Sequence, residues 1–351
     1  MAIGTGAASL GDIRTEWGRS GAISLSEMYR GGTHVRSKAA NNSSSNLAST
    51  VPTSGVISID DFRGSAKGFK YTFTSTATNQ NASDLFGDDY AVDYPKEIII
   101  DSGVELGATS TSEEALQIDS GASGAIYVTN NGTLTGAGGP AGSDGGDAFE
   151  ANVACTFVNN GTIRSGGGGS GSGGQGGQGG GGSYTSTTTA ANCTLRSSGS
   201  TSGCPVSCNS SSYVYCYQNC VSMMDQYDFQ CYGKLISTTT VNTNGGAGGA
   251  GAAGAVGQGY NQAAGSGNSG SGGAAGGTNA GVGGQGGSSS AGAAFGQAGS
   301  AGNSGSAGAN GNRTGGSAGS SGQAGGAAGA AIRNIANVTF TNNGTVIGGQ
   351  V

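Results

Sequence analysis

Three copies of one motif recur in this chain: AIYVTNNGTLTGAGG at 125–139, CTFVNNGTIRSGGG at 155–168 and VTFTNNGTVIGGQ at 338–350. Each copy sets Asn-Asn-Gly-Thr between two short runs rich in β-branched residues, and Asn-Gly in that setting is a strong turn signal. The flanks agree as well, because GDAFEANVACTF at 146–157 parallels GAAIRNIANVTF at 329–340. The copies therefore predict rungs of one stack, with a large insertion between the second copy and the third.

The rest of the β-rich part, residues 67–165, reads as short strands separated by turns. KGFKYTFTST at 67–76 alternates apolar and polar residues, and EIIIDSGVEL at 97–106 and ALQID at 115–119 follow between glycine, serine and asparagine residues. The pattern predicts a shaft of short strands.

Composition narrows the class of protein further. Glycine occupies 76 of 351 positions, charged residues make up only 10 % and aromatic residues 6 %. So much glycine costs too much backbone entropy for an ordinary side-chain core throughout the chain. Four prolines exclude a collagen triple helix. The single histidine, His34, excludes His-based metal sites and a Ser-His-Asp triad within one chain. We therefore expect a mostly β and irregular protein with no catalytic residues, no cofactor and no metal.

Charge and hydropathy argue against nucleic acid and membranes as binding partners. The net charge is −6, and no basic stripe exists that could follow a phosphate backbone, so we expect no nucleic acid. No run of about 18 apolar residues exists, so we expect no membrane insertion. The first residues lack a basic segment followed by an apolar one, so we expect no signal peptide.

The N-terminal region contains a second repeat, SGAISLSEMYRGG at 20–32 and SGVISIDDFRGS at 54–65. Each copy predicts a short strand leading into one helical turn, because a serine precedes a carboxylate by three residues in a capping arrangement. Gly31 and Gly64 are expected to end the two turns. The expected apolar contact residues of this region are Ile3, Leu10, Ile13 and Trp17.

The insertion consists mainly of glycine with alanine, serine, asparagine and glutamine. Glycine recurs at every third position in 248–257 and in 296–311, which is the period of the polyproline II helix. Glycine at that period lets neighbouring backbones approach and hydrogen-bond sideways. The pattern favours a packed polyglycine II bundle, turning at 259–262 and 278–280, over the alternative of a flexible linker.

Six of the seven cysteines lie within 39 residues, in two C-x₃-C units and two flanking positions. The spacing suits structural zinc poorly, so the cluster favours a three-bridge disulfide staple with 15 possible connectivities over metal binding. The staple residues are Cys193, Cys204, Cys208, Cys216, Cys220 and Cys231. Cys155 stands apart as an expected buried thiol. The run Asp84, Asp88, Asp89 and Asp93 lacks the EF-hand ligand order and is expected to form a solvated loop.

Aromatic residues concentrate in the same segment. Some of them could pack against the disulfides, whereas exposed tyrosines on a rigid loop would make efficient binding contacts. The candidate binding residues are Tyr213, Tyr215, Tyr217, Tyr227 and Tyr232, with Tyr260 at a turn of the glycine bundle.

Together these motifs resemble a known family. The paired segments at 20–32 and 54–65, the NNGT copies and the glycine runs resemble tailed-bacteriophage tail-fibre adhesins with polyglycine II tips. The resemblance implies a virion protein, extracellular when functioning, that binds a protein or glycan receptor on the host cell through displayed loops. It also implies contact with other tail proteins through residues 1–66, and a homo-oligomer, with a trimer favoured over a monomer.

The expected organisation has six parts. They are an attachment region at 1–66, a β-rich shaft at 67–165, a glycine-rich strand at 166–192, a six-cysteine insertion at 193–243, a polyglycine II bundle at 244–329 and a closing NNGT rung at 330–351. Three alternative functions remain: a structural fibre or filament subunit without a ligand, an ice-binding protein, and, ranked last, a fibre-borne depolymerase using paired carboxylates.

Overall fold

The computed structural model describes residues 3–6, 8–201, 212–223 and 226–351. Its N-terminal region holds α1 (Leu10–Glu16), which starts at a capping box between Ser9 and Asp12, and the two-residue strand β1 (Ser45–Asn46). Both sequence repeats form the predicted single turn, as 3₁₀ helices at Leu25–Glu27 and Ile59–Phe62, each with a capping box. The short strand predicted before each turn is not formed in this described region. The serine before each turn has an extended backbone, but no neighbouring strand pairs with it.

A small core holds this region together. Ile3, Ile13 and Trp17 are buried in it, as predicted, with residues from both repeats. The prediction for Leu10 was wrong, because its side chain is 40 % exposed on the outer face of α1. The remaining core residues are Met28, Val35, Ala48, Val51 and Phe62.

Five rungs of short strands follow, and each rung has three sides. Rung 1 is β2 (Phe69–Phe73), β3 (Ala77–Thr78) and β4 (Gln80–Asn81), followed by α2 (Ala82–Phe86). Rung 2 is β5 (Lys96–Ile100), β6 (Glu105–Gly107) and β7 (Leu116–Ile118). Rung 3 is β8 (Ile126–Asn130), β9 (Thr133–Thr135) and β10 (Phe149–Ala151).

Rung 4 is interrupted by the insertion. It begins with β11 (Cys155–Asn159) and β12 (Thr162–Arg164), and its third side, β17 (Ala330–Arg333), comes only after the inserted residues. Rung 5 is β18 (Val338–Asn342), β19 (Thr345–Ile347) and β20 (Gly349–Gln350). The prediction of stacked rungs with an insertion is therefore confirmed.

Equivalent sides of the rungs pair in parallel and form three sheets. The first runs β1-β2-β5-β8-β11-β18, with β1 added antiparallel; the second runs β3-β6-β9-β12-β19 and the third β4-β7-β10-β17-β20. The NNGT copies stack in register, because Asn159 pairs with Asn130 on one side and with Asn342 on the other. The Asn-Gly turn is thus the corner between the first sheet and the second. The similar flanking segments at 146–157 and 329–340 also stack, since Phe149 pairs with Ile332.

Alternation along each strand sends every second side chain into the stack. One interior column of the first sheet consists of Tyr71, Ile98, Val128, Phe157 and Phe340. Cys155 lies in this core as a free, buried thiol, as predicted. Burial raises its pKa to about 11.

The glycine-rich insertion forms six extended segments that pack side by side: 166–181, 244–258, 263–277, 280–294, 297–311 and 315–329. Segment 166–181 is central. Its Gly173 N–H donates to the Ala252 carbonyl (2.9 Å), its Gly174 N–H donates to Asn303 (2.8 Å), and its Gly174 carbonyl accepts from Gly287 (2.7 Å). These bonds recur at every third residue, so the predicted sideways hydrogen bonding is present. We call these six segments the glycine bundle.

The predicted breaks in the glycine bundle are real turns. Residues 259–262 close a turn in which Asn261 has φ +50°, and residues 278–280 close one in which Asn279 has φ +61°. Asparagine tolerates this left-handed backbone better than most residues.

The cysteine-rich insertion is a β-sheet, not the loop-rich segment expected. It contains β13 (Gly182–Thr189), β14 (Thr194–Thr201), β15 (Tyr213–Met223) and β16 (Gln226–Thr243). The 18-residue strand β16 pairs antiparallel with all three others. The sheet begins at Gly182, before the boundary expected at 193, because the Ser/Thr-rich residues of β13 pair with those at the end of β16. We call it the distal sheet. Within the described residues no helix is long and apolar enough to cross a membrane.

Candidate functional site

The glycine bundle has two chemically different ends. At the end that joins the rungs, Gly296 donates to the Ser165 carbonyl (3.1 Å) and Tyr260 donates to the Gly136 carbonyl (3.1 Å). At the far end, the distal end, the chain leaves through Gly182 into β13 and returns through Thr243, and these two residues are paired. The distal sheet therefore projects from the end of the bundle remote from the rungs.

Two turns of the glycine bundle clamp the root of this sheet. The Asn312 side chain accepts from the Ser183 N–H (2.8 Å) and donates to the Ser183 carbonyl (2.9 Å). Asn279 Nδ2 donates to the same carbonyl (3.1 Å), and the Thr243 hydroxyl donates to the Thr278 carbonyl (2.7 Å). Four side-chain hydrogen bonds thus fix how the sheet leaves the bundle. The sequence reasoning missed Asn279 and Asn312 as anchors, although a single asparagine at each turn was a usable signal.

The candidate tyrosines lie on the strands of the distal sheet. Tyr215, Tyr217 and Tyr227 are 44 %, 50 % and 36 % exposed. Tyr232 on β16 stacks against Tyr217 on β15, with ring centroids 4.6 Å apart and 16° between the planes, and its hydroxyl donates to Gln230. Tyr213 is in β15, but its side chain lies outside the described part. Stacked and exposed aromatic rings provide contact area at low entropic cost.

Aliphatic side chains accompany the tyrosines, and the sequence reasoning did not single them out. They are exposed on the same sheet although each is large and apolar: Leu195, Val214, Val221 and Leu235. By register they lie on both faces of the sheet, since Val214 and Val221 share a face with Tyr217 and Leu235 shares the other with Tyr215. Exposed apolar residues on one element are a feature of interaction surfaces. The sequence could have indicated these aliphatic residues, because most of them lie close to the tyrosines in runs of strand-forming residues.

Charge is sparse on this surface. Arg196 donates to the Gly233 carbonyl (3.2 Å), and Asp228 accepts a hydrogen bond from the Ser200 hydroxyl. Lys234 is the other charged residue described in the distal sheet, and Arg313 lies at a turn of the glycine bundle. The surface is therefore mainly aromatic, aliphatic and hydroxyl in character.

The cysteine predictions fall partly on the described residues. Cys193, Cys220 and Cys231 each have a bonding partner, so none of the three is a free thiol. Cys204 and Cys208 lie outside the described residues, and of Cys216 only the backbone, in β15, is described. The three-bridge staple stays a prediction.

Tyr260 is placed differently from the other candidates. Its ring lies directly against Gly107 of β6, where even a Cβ on Gly107 would overlap the ring. Tyr260 therefore packs at the junction of the glycine bundle with the rungs, and the structure does not bring it together with the other five tyrosines.

The acidic run at 84–93 is only partly the solvated segment that was expected: Asp84, Asp88 and Asp93 are exposed, but Asp89 is not. Asp89 is fully buried and accepts hydrogen bonds from the Arg36 side chain (2.9 Å), the Ala39 N–H (2.6 Å) and Asn42 Nδ2 (2.9 Å). Burial raises the pKa of Asp89, and these hydrogen bonds outweigh burial, so its pKa lies below the ordinary value. Asp89 therefore joins the N-terminal region to the rungs.

A polar depression of about 280 Å³ lies on the outside of the rungs, lined by Glu113, Glu114, Gln117 and Glu150 together with Asn79, Asn81 and Ser112. Burial, reinforced by Glu150 and Asp147, raises the pKa of Glu114 to about 7. Gln117 Nε2 donates to the Glu150 carboxylate (2.6 Å). Among the described residues, no group of three His, Cys, Asp or Glu side chains is placed to hold a metal ion.

Comparison with known families matches the rungs and the start of the insertion. Residues 68–215 match the family described as phage tail fibre adhesin Gp38. This match supports a phage tail-fibre adhesin. It confirms the resemblance to tail-fibre adhesins, whereas the N-terminal repeats lie outside the match and the polyglycine II tip stays a prediction. Comparisons with curated proteins and with solved structures found no match.

The matched residues run from β2 into β15. They include the four strands that flank the first two NNGT corners, which are β8, β9, β11 and β12. They also include the central segment of the glycine bundle, β13, β14 and the start of β15. The match thus covers rungs 1–3, the first two strands of rung 4 and part of the distal sheet, and it does not extend to rung 5 or to the other five segments of the glycine bundle.

Proposed function

We propose that this adhesin binds its host receptor through the distal sheet. The observation that carries the proposal is the cluster of exposed tyrosine and aliphatic side chains at the end of the glycine bundle remote from the rungs. Binding residues tend to occupy elements positioned by a rigid scaffold, and the four hydrogen bonds at the root of the sheet supply that rigidity.

The glycine bundle is the proposed scaffold, with its segments as polyglycine II helices. The period of three in the hydrogen bonds supports this conformation. The buried N–H and C=O groups of the segments then have backbone partners, so the glycine bundle keeps its shape without an apolar core. The bundle holds the contact surface away from the rungs.

Disulfides are the proposed second source of rigidity. The distal sheet exposes much of its apolar surface and has little core of its own, and small domains of that kind depend on cross-links. The bonded state of Cys193, Cys220 and Cys231 supports the proposal. Such bridges would persist where the adhesin works, outside a reducing cytosol.

The N-terminal region is the proposed attachment to the rest of the tail. It sits at the opposite end of the stack from rung 5, and β1 covers the edge of β2. Its repeats present apolar side chains to solvent, with Val56 of the second repeat 92 % exposed. A homo-oligomer, with a trimer favoured, stays a prediction that a molar mass in solution would test.

The test removes the contact surface and keeps its root. Thr189 and Ile236 are directly paired across β13 and β16, so an Asn-Gly turn can replace residues 190–235 and close a short hairpin. Particles carrying this variant are expected to lose adsorption to host cells, while the purified chain keeps the thermal transition of the rungs. Undiminished adsorption would contradict the proposal and move receptor contact to the turns around Asn279 and Asn312.

A further inference from the structure

Three Asn-Gly pairs occupy the same corner of successive rungs: Asn131-Gly132, Asn160-Gly161 and Asn343-Gly344. An asparagine followed by glycine is open to one spontaneous reaction. The glycine backbone nitrogen attacks the side-chain Cγ, a C–N bond forms, and the amide nitrogen leaves as ammonia. Water then opens the five-membered imide to aspartate or isoaspartate. The reaction needs a side chain that can rotate toward the glycine nitrogen and a backbone that can move.

The structure distinguishes these three chemically identical pairs. The side chains form a ladder in which Asn160 Nδ2 donates to Asn131 Oδ1 (2.9 Å) and Asn343 Nδ2 donates to Asn160 Oδ1 (3.0 Å). Asn160 is therefore held from both sides. Asn343 is exposed, and within the described residues its Oδ1 accepts no hydrogen bond. Asn131 and Asn343 each make one bond of this ladder, and Asn343 is the more exposed of the two.

The attacking nitrogens differ as well. The Gly132 N–H donates to the side-chain oxygen of Asn130 (3.1 Å), and both residues are buried. The Gly344 N–H makes the equivalent bond to Asn342 at 3.3 Å, and Asn342 is exposed. The nitrogen of Gly344 is thus held more weakly than that of Gly132. Among the described hydrogen bonds none is donated by the Gly161 N–H, so Asn160 is restrained through its side chain, which is bonded on both sides.

The position of rung 5 completes the contrast. Rung 5 packs against rung 4 on one side, and in the described residues no strand pairs with the other side of β18 or β19. In a stack where each unit contacts only its neighbours, a unit packed on one side opens at a lower free energy than a unit packed on both. We propose that Asn343 is a site of deamidation, and that Asn131 and Asn160 are protected by the rungs on either side of them.

The modification has a structural consequence. A carboxylate at position 343 no longer donates to Asn160 Oδ1 and instead faces it with a negative charge. Isoaspartate also adds a backbone carbon between β18 and β19. Gly348, which follows β19, lies directly against Gly296 of the glycine bundle. Deamidation would therefore loosen rung 5 together with the bundle turn that rests on it.

The test is to age the purified full-length chain in mildly alkaline buffer and map the deamidated peptides by mass spectrometry. Isoaspartate is labelled independently with a carboxyl methyltransferase. In the folded protein, conversion at Asn343 is expected to be several-fold faster than at Asn131 or Asn160. In urea the three sites are expected to react at similar rates, which separates the effect of the fold from that of the sequence.

Matched variants complete the design. Asn343→Gln lengthens the side chain and slows imide formation, so the main product should disappear, whereas Asn160→Gln should leave conversion at Asn343 in place. Hydrogen exchange of residues 338–350 should rise as the Asn343 product accumulates. Conversion at Asn131 or Asn160 as fast as at Asn343 in the folded chain, or an unchanged Asn343 there, would overturn the proposal.

Discussion

Asn159 and Asn342 are 183 residues apart in the chain, and Asn159 Nδ2 donates a 2.8 Å hydrogen bond to Asn342 Oδ1. Asn159 Oδ1 accepts in turn from Asn130 Nδ2 (2.8 Å). This inner asparagine ladder joins rung 4, which the insertion interrupts, to rung 5. The two parts of the chain that flank the insertion therefore meet at a buried residue of the rungs.

Replacing Asn159 with leucine should destabilise the rungs. The residue is fully buried, and its loss removes hydrogen bonds to both neighbouring asparagines. A buried polar group left without a partner costs about 1–3 kcal/mol. Thermal denaturation should show a lower Tm. Asn160→Ala, in the exposed outer ladder, is the matched control and should cost less than about 1 kcal/mol; equal losses would contradict a special role for the inner ladder.

The glycine period of the bundle can be tested at a single position. A Cβ on Gly302 would overlap the backbone carbonyl of Ser172, so Gly302→Val must push two segments apart. Overpacking of this kind costs about 1–3 kcal/mol, visible as a lower Tm or lost solubility. Ser300→Val is the control, because Ser300 is exposed. Identical behaviour of the two variants would indicate that the segments do not pack.

The asparagine copies and the glycine period were enough to predict the rungs, the insertion and the sideways bonds, because both patterns repeat at fixed register. The distal sheet was not predicted, since cysteines and tyrosines drew the interpretation toward a stapled loop. The Ser/Thr-rich runs of β13 and the end of β16 were the available signal. Burial of Asp89 could not be predicted, because its partners Arg36 and Asn42 come from a separate part of the chain.

The protonation of Glu114 should make stability depend on pH. Its pKa is raised, mainly by burial, from 4.5 to about 7, so the folded state binds this proton more tightly than the unfolded state does. The contribution is fully present below pH 4.5 and is lost as the pH rises to about 7. Glu114→Gln should flatten the fall in Tm across this window. Glu113→Gln, at an exposed neighbouring residue, should leave the fall in place; the reverse result would contradict the assignment.

A single tyrosine should carry measurable affinity in the distal sheet. Tyr217→Ala removes both an exposed ring and the stack with Tyr232. For a residue that dominates an interface, the loss is about 2 kcal/mol or more, which is about thirtyfold in affinity. Tyr127→Ala is the control, since Tyr127 is similarly exposed, at 46 %, but lies on the rungs. Binding of the purified chain to host cells measures both, and an equal loss in the two variants would contradict a contact site on the sheet.

Attachment to the tail is best tested on the surface of the N-terminal region, because that region also stabilises the rungs. Deleting residues 1–65 would remove Arg36, Ala39 and Asn42 and leave the buried Asp89 carboxylate without the partners that offset its burial.

The substitution Val56→Asp avoids this damage, since the side chain is almost entirely exposed. A charge placed there should block docking, so the variant should fold normally, bind host cells as a purified chain and be missing from assembled particles. Val282→Asp is the matched control, because Val282 is an exposed valine on the glycine bundle, and it should be incorporated. Normal copy number of the Val56 variant on purified virions would place the attachment surface elsewhere on the N-terminal region.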